Sequence, residues 1–149
     1  MISSKDPKAL IPIVYSKYEK FADQCSRSHI DIIVTSTYRD LESQGALYSI
    51  GRTIKGEDVD AKNPMGKIVT NAKPGNSFHQ YRVAFDVVPI IHGKPVWNNK
   101  QLWESIGAIA KACGLEWAGD WKKFKEKCHL QYTSGLTLKD FKNGKIPTQ

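Results

Sequence analysis

Cysteine is scarce in this chain. Cys25, Cys113 and Cys128 are an odd three among 149 residues, which argues against the disulfide framework that braces small secreted domains and marks them as reduced, mostly buried small hydrophobes. Long apolar runs are absent: none approaches the ~20 residues a membrane helix needs, so stable membrane insertion is not expected. Residues 1–10 have no charged-then-apolar leader pattern, and the expectation is synthesis in the cytoplasm with some other route to any site of action outside it. No internal repeat or domain-sized linker interrupts the chain, and no common nucleic-acid-binding motif stands out. Acidic residues are outnumbered, 15 against 22 Lys plus Arg, for a net charge of +7 with His neutral. A basic balance of this size fits either a solvated surface or attraction to an anionic polymer. Its densest stretch is Lys122, Lys123, Lys125 and Lys127.

The hydrophobic fraction of 40% suffices for one core. Asp6-Pro7 reads as a helix start, followed by an apolar stripe of Leu10, Val14, Tyr18, Phe21 and Cys25, with Pro12 pushing the true start later. Residues 30–35 are β-branched and read as a buried strand. Asp40 caps a second helix that runs to Ile50 and stops at Gly51. Residues 51–76 are rich in Gly, Pro, Asn, Lys and Asp and form a long loop. Its acidic group Glu57, Asp58 and Asp60 reads as a solvated tip or a cation ligand set without EF-hand spacing. Residues 83–91 alternate as a strand, with a hairpin turn at Gly93. Asn98 or Asn99 caps a third helix with Leu102, Trp103, Ile106, Ala110 and Cys113 on its apolar face. Residues 128–133 make a last strand and 137–142 a short helix. The expected fold is α+β: a small, mainly antiparallel sheet flanked by helices, one domain over 1–149.

Two placements are chemically unusual. Asp86 sits mid-strand between Phe85 and Val87, where a carboxylate is costly unless it is paired or coordinates an ion. His79 precedes it by seven residues, and His129 opens the last apolar strand with Glu126 three residues before it. Two imidazoles and one carboxylate suit a catalytic zinc ion, because three protein ligands leave a fourth position open. A further carboxylate such as Glu126 can then take a proton. The competing reading of each histidine is a satisfied core or surface residue.

The set Ser77-x-His79-x6-Asp86, with a late Trp121-Lys-Lys-Phe124-Lys-Glu126-Lys-Cys-His129, resembles the zinc D-Ala-D-Ala carboxypeptidase and L-alanyl-D-glutamate endopeptidase superfamily, phage endolysins in particular. Ser36-Thr-Tyr-Arg39 with Gln44, Leu47-Tyr48, Gly51-Arg52, the run from Val69 to Ser77, Gly119-Asp120 and Gly135-Leu-Thr-Leu138 extend the likeness over about residues 30–145. The resemblance implies one zinc ion on His79, Asp86 and His129, Glu126 as general base, and Arg39 both catalytic and substrate-binding beside the scissile carbonyl. It also implies substrate contacts from Ser77 and Trp121, with Asp120 helping to wall the pocket, and a Gln44 that either supports Arg39 or faces the cleft as a substrate contact. The implied activity is hydrolysis of the L-alanyl-D-glutamate bond of peptidoglycan stem peptides, in an endolysin-like role of host lysis; a monomer is the default expectation, with the oligomeric state left open by the sequence. The wall would be reached through a separate pore protein.

Three positions depart from the pattern. Arg82 replaces a usual Gly and puts the local loop shape in question, with a second cation beside the site as one outcome. Glu126 stands where Asp is common, and Gln131 where many relatives carry an acid. Cys128 adjoins His129, and strand alternation is expected to turn it to the opposite face. The alternatives are a D-Ala-D-Ala carboxypeptidase on the same scaffold, a non-catalytic cell-wall-binding domain and a nucleic-acid-binding protein.

Overall fold

A computed structural model describes residues 1–148. Pro7–Ala9 forms one 3-10 turn capped by the Asp6 carboxylate, which accepts the Lys8 N–H. Helix α1 then starts at Pro12 and ends at Arg27. Pro12 therefore opens the helix, where its missing N–H costs nothing. The remaining elements are β1 (Asp31–Ser36), α2 (Leu41–Ser49), β2 (Ala84–Ile91), β3 (Lys94–Pro95), α3 (Lys100–Ala112), β4 (Glu116–Trp117), β5 (His129–Gln131) and α4 (Leu138–Lys142). Residues 51–76 contain no helix or strand.

The strands form one antiparallel sheet in the order β1-β2-β5-β4, with β3 hairpinned onto β2. The hairpin turns through left-handed His92 and Gly93, the twist that matches flanking strands. The two-residue β4 was not expected from the sequence, since it is too short to show a period. Strand β1 lies at the sheet edge and alternates in exposure, with Ile33 half exposed. The expectation of a buried strand there is corrected: four β-branched residues in a row look the same in a central strand and an edge strand.

Helices α1 and α3 pack against one sheet face. Val14, Phe21 and Cys25 of α1 meet Phe85 and Val87 of β2, Leu130 of β5, and Trp103, Ile106 and Ala110 of α3. The register decides what faces the other way. Phe85 pairs with Leu130, and Asp86 pairs with His129. Period-two alternation therefore sends Phe85 and Leu130 into the core and sends Asp86, His129 and Gln131 to the opposite face. Trp117 pairs with Leu130, and its indole is sandwiched between Gly107 of α3 and Gly119. Its Nε1 donates to the Lys127 carbonyl at 2.8 Å, tying the 121–128 loop to the core.

Candidate metal centre

Three segments converge on the polar sheet face. Asp86 comes from the centre of β2 and His129 from β5 directly opposite it. His79 comes from a 3-10 turn, Phe78–Tyr81, that enters β2. Ser77 caps that turn by accepting the His79 N–H, while Gln80 reaches back to accept the Ser77 N–H. Arg82 closes the turn in the left-handed conformation, φ 61°. Glycine is the easiest residue there, which explains the family preference. Arg82 itself stacks on Tyr38 at 3.8 Å and donates to the Ala9 carbonyl. It clamps the N-terminal segment, which settles the question of the local loop shape and corrects the second cation beside the site.

One ligand atom from each of His79, Asp86 and His129 lies within 4.8 Å of the others. The far nitrogen of each ring is already committed. His79 Nδ1 lies 2.6 Å from the Thr37 carbonyl oxygen, which can only accept, so Nδ1 carries the proton. The lone pair of its Nε2 then faces Asp86 Oδ1 at 3.3 Å, and this fully buried nitrogen has no hydrogen-bond partner. His129 Nε2 lies 2.8 Å from Gln131 Oε1, leaving Nδ1 facing the same Asp86 oxygen at 3.2 Å. Two imidazole lone pairs aimed at one carboxylate repel unless a cation lies among them. A divalent metal ion satisfies all three, and ring N–H groups held by acceptors on the far side are how ligating histidines are oriented.

The protonation tendencies follow from this packing. Burial pushes the His79 pKa down, against the pull of Asp86, and keeps the ring neutral. For His129 burial is the largest single influence and opposes charge, but Asp86, Gln131 and Glu126 together outweigh it and the pKa is raised. Burial works against ionising Asp86, yet the two imidazoles together hold its carboxyl well below the usual range.

The other expected site residues separate into two groups. Ser77, Trp121, Glu126 and His129 line one cleft of about 290 Å³, together with Thr70 and Phe124. The Trp121 ring lies 5.7 Å from that of His129. Arg39 is largely buried, within electrostatic reach of Asp86 and Glu126, and burial lowers its pKa against their pull. Its Nε has no hydrogen-bond partner.

Gln44, in contrast, is fully buried and does not face the cleft. Its Nε2 donates to the Ala72 carbonyl at 2.8 Å, and its Oε1 accepts from Gln80, which also donates to the Arg39 carbonyl. It ties the 70–72 segment to the His79 turn, and its expected substrate contact is corrected on burial. Asp120 pairs with Lys111 at 2.7 Å and is absent from the cleft lining. Cys128 is also corrected: its sulfur lies within 4.8 Å of ligand atoms of Asp86 and Glu126, on the site's side of the sheet. The alternation argument fails because Cys128 precedes β5, in the turn closed by His129 N–H to the Glu126 carbonyl. Burial, with Asp86 and Glu126 adding to it, pushes its thiol up to about 12, so it stays protonated. Glu57, Asp58 and Asp60 form no metal-ligand group among the described residues; Asp60 instead accepts the N–H groups of Lys62 and Asn63.

Two contributions were missed in the sequence. The N-terminal residues run beside 37–40: Thr37 N–H donates to Ser4, Ser4 N–H to Tyr38 and Asp40 N–H to Ile2. Thr37, which holds His79, is thus fixed by a segment with no motif of its own. The second is Glu116, whose carboxylate accepts from Gln131, the partner of His129.

Comparison with known proteins agrees with this geometry. The D-alanyl-D-alanine carboxypeptidase family of M15 peptidases matches residues 70–132, the span that holds all three ligand candidates. The peptidoglycan L-alanyl-D-glutamate endopeptidase CwlK of Bacillus subtilis (strain 168) is 34% identical over 134 residues, 84% of this chain and 74% of that protein. Among solved structures, the Serratia marcescens L-Ala D-Glu endopeptidase ChiX superposes with a TM-score of 0.59 at 19% identity, over 86% of this chain and 84% of its own. The vancomycin-resistance D,D-pentapeptidase VanY, solved in complex with Zn(II), gives 0.60 at 16% identity, over 90% and 84%. The two structural likenesses speak to the fold. The sequence identity to CwlK over most of both chains carries the assignment: this chain belongs to the M15 peptidase family and is a metallopeptidase.

Proposed function

We propose that this chain is a zinc-dependent endopeptidase that cuts the L-alanyl-D-glutamate bond of peptidoglycan stem peptides. The observation that carries the reading is the convergence of His79 Nε2, His129 Nδ1 and Asp86 Oδ1, each imidazole with its proton held on the far side. Such a neutral-His, anionic-Asp set fits zinc in charge and donor type, and zinc bound there supplies Lewis acidity with one position open to reactants.

The chain's own groups supply the rest. Glu126 borders the cleft, where its exposed carboxylate can take a proton from the attacking water and return it to the leaving amine. Arg39, a part-buried cation within electrostatic reach of Asp86 and Glu126, is suited to stabilise charge on the carbonyl oxygen. Trp121 and Ser77 line the wall against which the peptide lies. A second hollow, bounded by Ile68, Val69 and Lys125, adjoins the first and shares Thr70, Asn71, Phe124 and Glu126 with it. Space on both sides of Glu126 favours an internal bond over a chain-terminal one. CwlK, the relative at 34% identity, carries the same endopeptidase activity in its name.

The lysines at 122, 123, 125 and 127 give the cleft's lip a positive charge that suits anionic wall polymers. On this reading the enzyme works as a monomer in an endolysin-like role, reaching the wall through a pore made by another protein. Mass spectrometry of purified peptidoglycan digested with the zinc-loaded enzyme tests the bond. New N-terminal glutamate supports the proposal, and released D-alanine replaces it with a carboxypeptidase. No cleavage, with retained wall binding, replaces it with a binding domain.

A further inference from the structure

Glu116 and Gln131 sit on the same sheet face as the ligand candidates, and the hydrogen bonds that join them to His129 form a chain. Strand β4 pairs with β5 so that Glu116 is directly opposite Gln131. Gln131 is almost completely buried. The Glu116 carboxylate accepts the Thr133 N–H at 2.8 Å, the Thr133 hydroxyl at 3.0 Å and the Gln131 side-chain NH2 at 3.2 Å. We propose that Glu116 and Gln131 form a directional hydrogen-bond relay that fixes which nitrogen of His129 is free to bind metal, with Gln131 as the positioning residue and Glu116 setting its direction. The metal part of this proposal rests on the reading of His79, Asp86 and His129 as a zinc site.

The direction follows from donor and acceptor types alone. An ionised carboxylate only accepts. Gln131 must therefore present its NH2 to Glu116 and its carbonyl oxygen to His129. That oxygen, 2.8 Å from His129 Nε2, also only accepts, so the ring proton lies on Nε2. The lone pair is then left on Nδ1, the atom that faces Asp86. Reversing the amide would set a carbonyl oxygen against the Glu116 carboxylate and an NH2 group against His129. Thr133 anchors the far end: its N–H and hydroxyl occupy the carboxylate and stop it from swinging toward the ring.

The relay also explains why position 131 holds an amide. A glutamate there would place its carboxylate against that of Glu116, two like charges on one buried edge. The amide transmits orientation from the carboxylate to the ring without adding a second negative charge beside Asp86. The anion is carried by β4 and the neutral connector by β5, so exchanging the two side chains should preserve the hydrogen bonds, with the charge moved one residue nearer the ring.

The test uses the full chain in four forms besides wild type: Gln131→Met, Gln131→Glu, Glu116→Gln, and the exchange Glu116→Gln with Gln131→Glu. Zinc affinity is measured by competition with a chromophoric chelator, and the His129 tautomer by long-range imidazole 15N–1H correlation on the metal-free protein, above the pH at which the His129 resonances stop titrating. The expected result for Gln131→Met is about 10- to 100-fold weaker zinc binding, with His129 no longer confined to the Nε2–H form. Gln131→Glu should also weaken binding, and the exchange should recover it to within about threefold of wild type. Glu116→Gln alone should leave the tautomer mixed. The relay is overturned if Gln131→Met keeps both affinity and tautomer, and its direction is overturned if the exchange is no better than Gln131→Glu. Should Gln131→Met not fold, Glu116→Gln and the exchange decide the question by the same two readouts. A wild-type chain that binds no zinc yet shows the Nε2–H tautomer, lost in Gln131→Met, would refute the zinc reading and leave the relay standing.

Discussion

Substituting Asp86→Asn should separate metal binding from folding. The carboxylate faces two imidazole lone pairs at 3.3 and 3.2 Å. In the metal-free protein that arrangement is relieved only by a proton, which is why His129 has a raised pKa. Asparagine has the same shape and brings an NH2 group that can donate to one of those lone pairs. Metal-free stability should therefore change by no more than about 1 kcal/mol, the net worth of a typical hydrogen bond. Zinc, however, loses its only anionic ligand. If the roughly 10–16 kcal/mol of a four-ligand structural site is shared evenly, one ligand accounts for about 3–4 kcal/mol, or roughly 100- to 1000-fold in affinity. With free zinc at ~1000 times the wild-type Kd, binding adds about 4.1 kcal/mol. At roughly 2–4 °C per kcal/mol for a chain of this size, the wild-type Tm rises by about 8–16 °C. The same zinc concentration should raise the variant's Tm by only about 1–6 °C. Scanning calorimetry with zinc and with chelator reads both numbers. An equal zinc shift in the two proteins, or a metal-free variant that loses several kcal/mol, would refute the reasoning.

Replacing Glu126→Gln should lower kcat by about 10²- to 10⁴-fold while zinc affinity, measured by chelator competition, stays within about threefold if the ion sits on His79, Asp86 and His129; a larger loss would place it on the neighbouring Asp86, Glu126 and Cys128 group instead. Gly107→Ala or Gly119→Ala would drive a Cβ into the Trp117 indole; urea denaturation should show a loss of about 1–3 kcal/mol from overpacking. Acid should destabilise the fold through its helix caps. The Thr137 N–H and hydroxyl, with Lys145, hold the Asp140 carboxyl below its ordinary range, and the Ser43 and Ile2 N–H groups do the same for Asp40. A depressed folded-state pKa means that the unfolded chain binds protons first as pH falls. This stability is complete above the ordinary carboxylate pKa and is lost as pH drops through the lowered folded values. Asp140→Asn should flatten that acid limb of a Tm-against-pH curve, and an unchanged limb would argue against the cap.

The parts of the fold and site that could be read from the sequence were those with a local period or a costly residue. The α1 and α3 stripes, the Asp40 and Asn99 caps and the β2 hairpin are one-dimensional signals that tertiary packing did not override. Asp86 stood out because a carboxylate between Phe85 and Val87 needs a reason, and the register set it opposite His129. What escaped depended on pairings distant in sequence. The two residues of β4 show no period, and Glu116 acquires meaning only when β4 lies beside Gln131. Thr37 matters through its backbone carbonyl, which no side-chain motif can reveal. Gln44 matched the motif, but burial gave it a scaffold task, and Cys128 was misplaced because β5 begins one residue after it.

Anomalous diffraction at the zinc edge from crystals grown with stoichiometric zinc tests the central claim most directly. The account predicts one peak in contact with His79 Nε2, His129 Nδ1 and an Asp86 oxygen, with Glu126 beside it and not bonded to it. A peak elsewhere on the molecule, or an ion held through His129 Nε2, would contradict it.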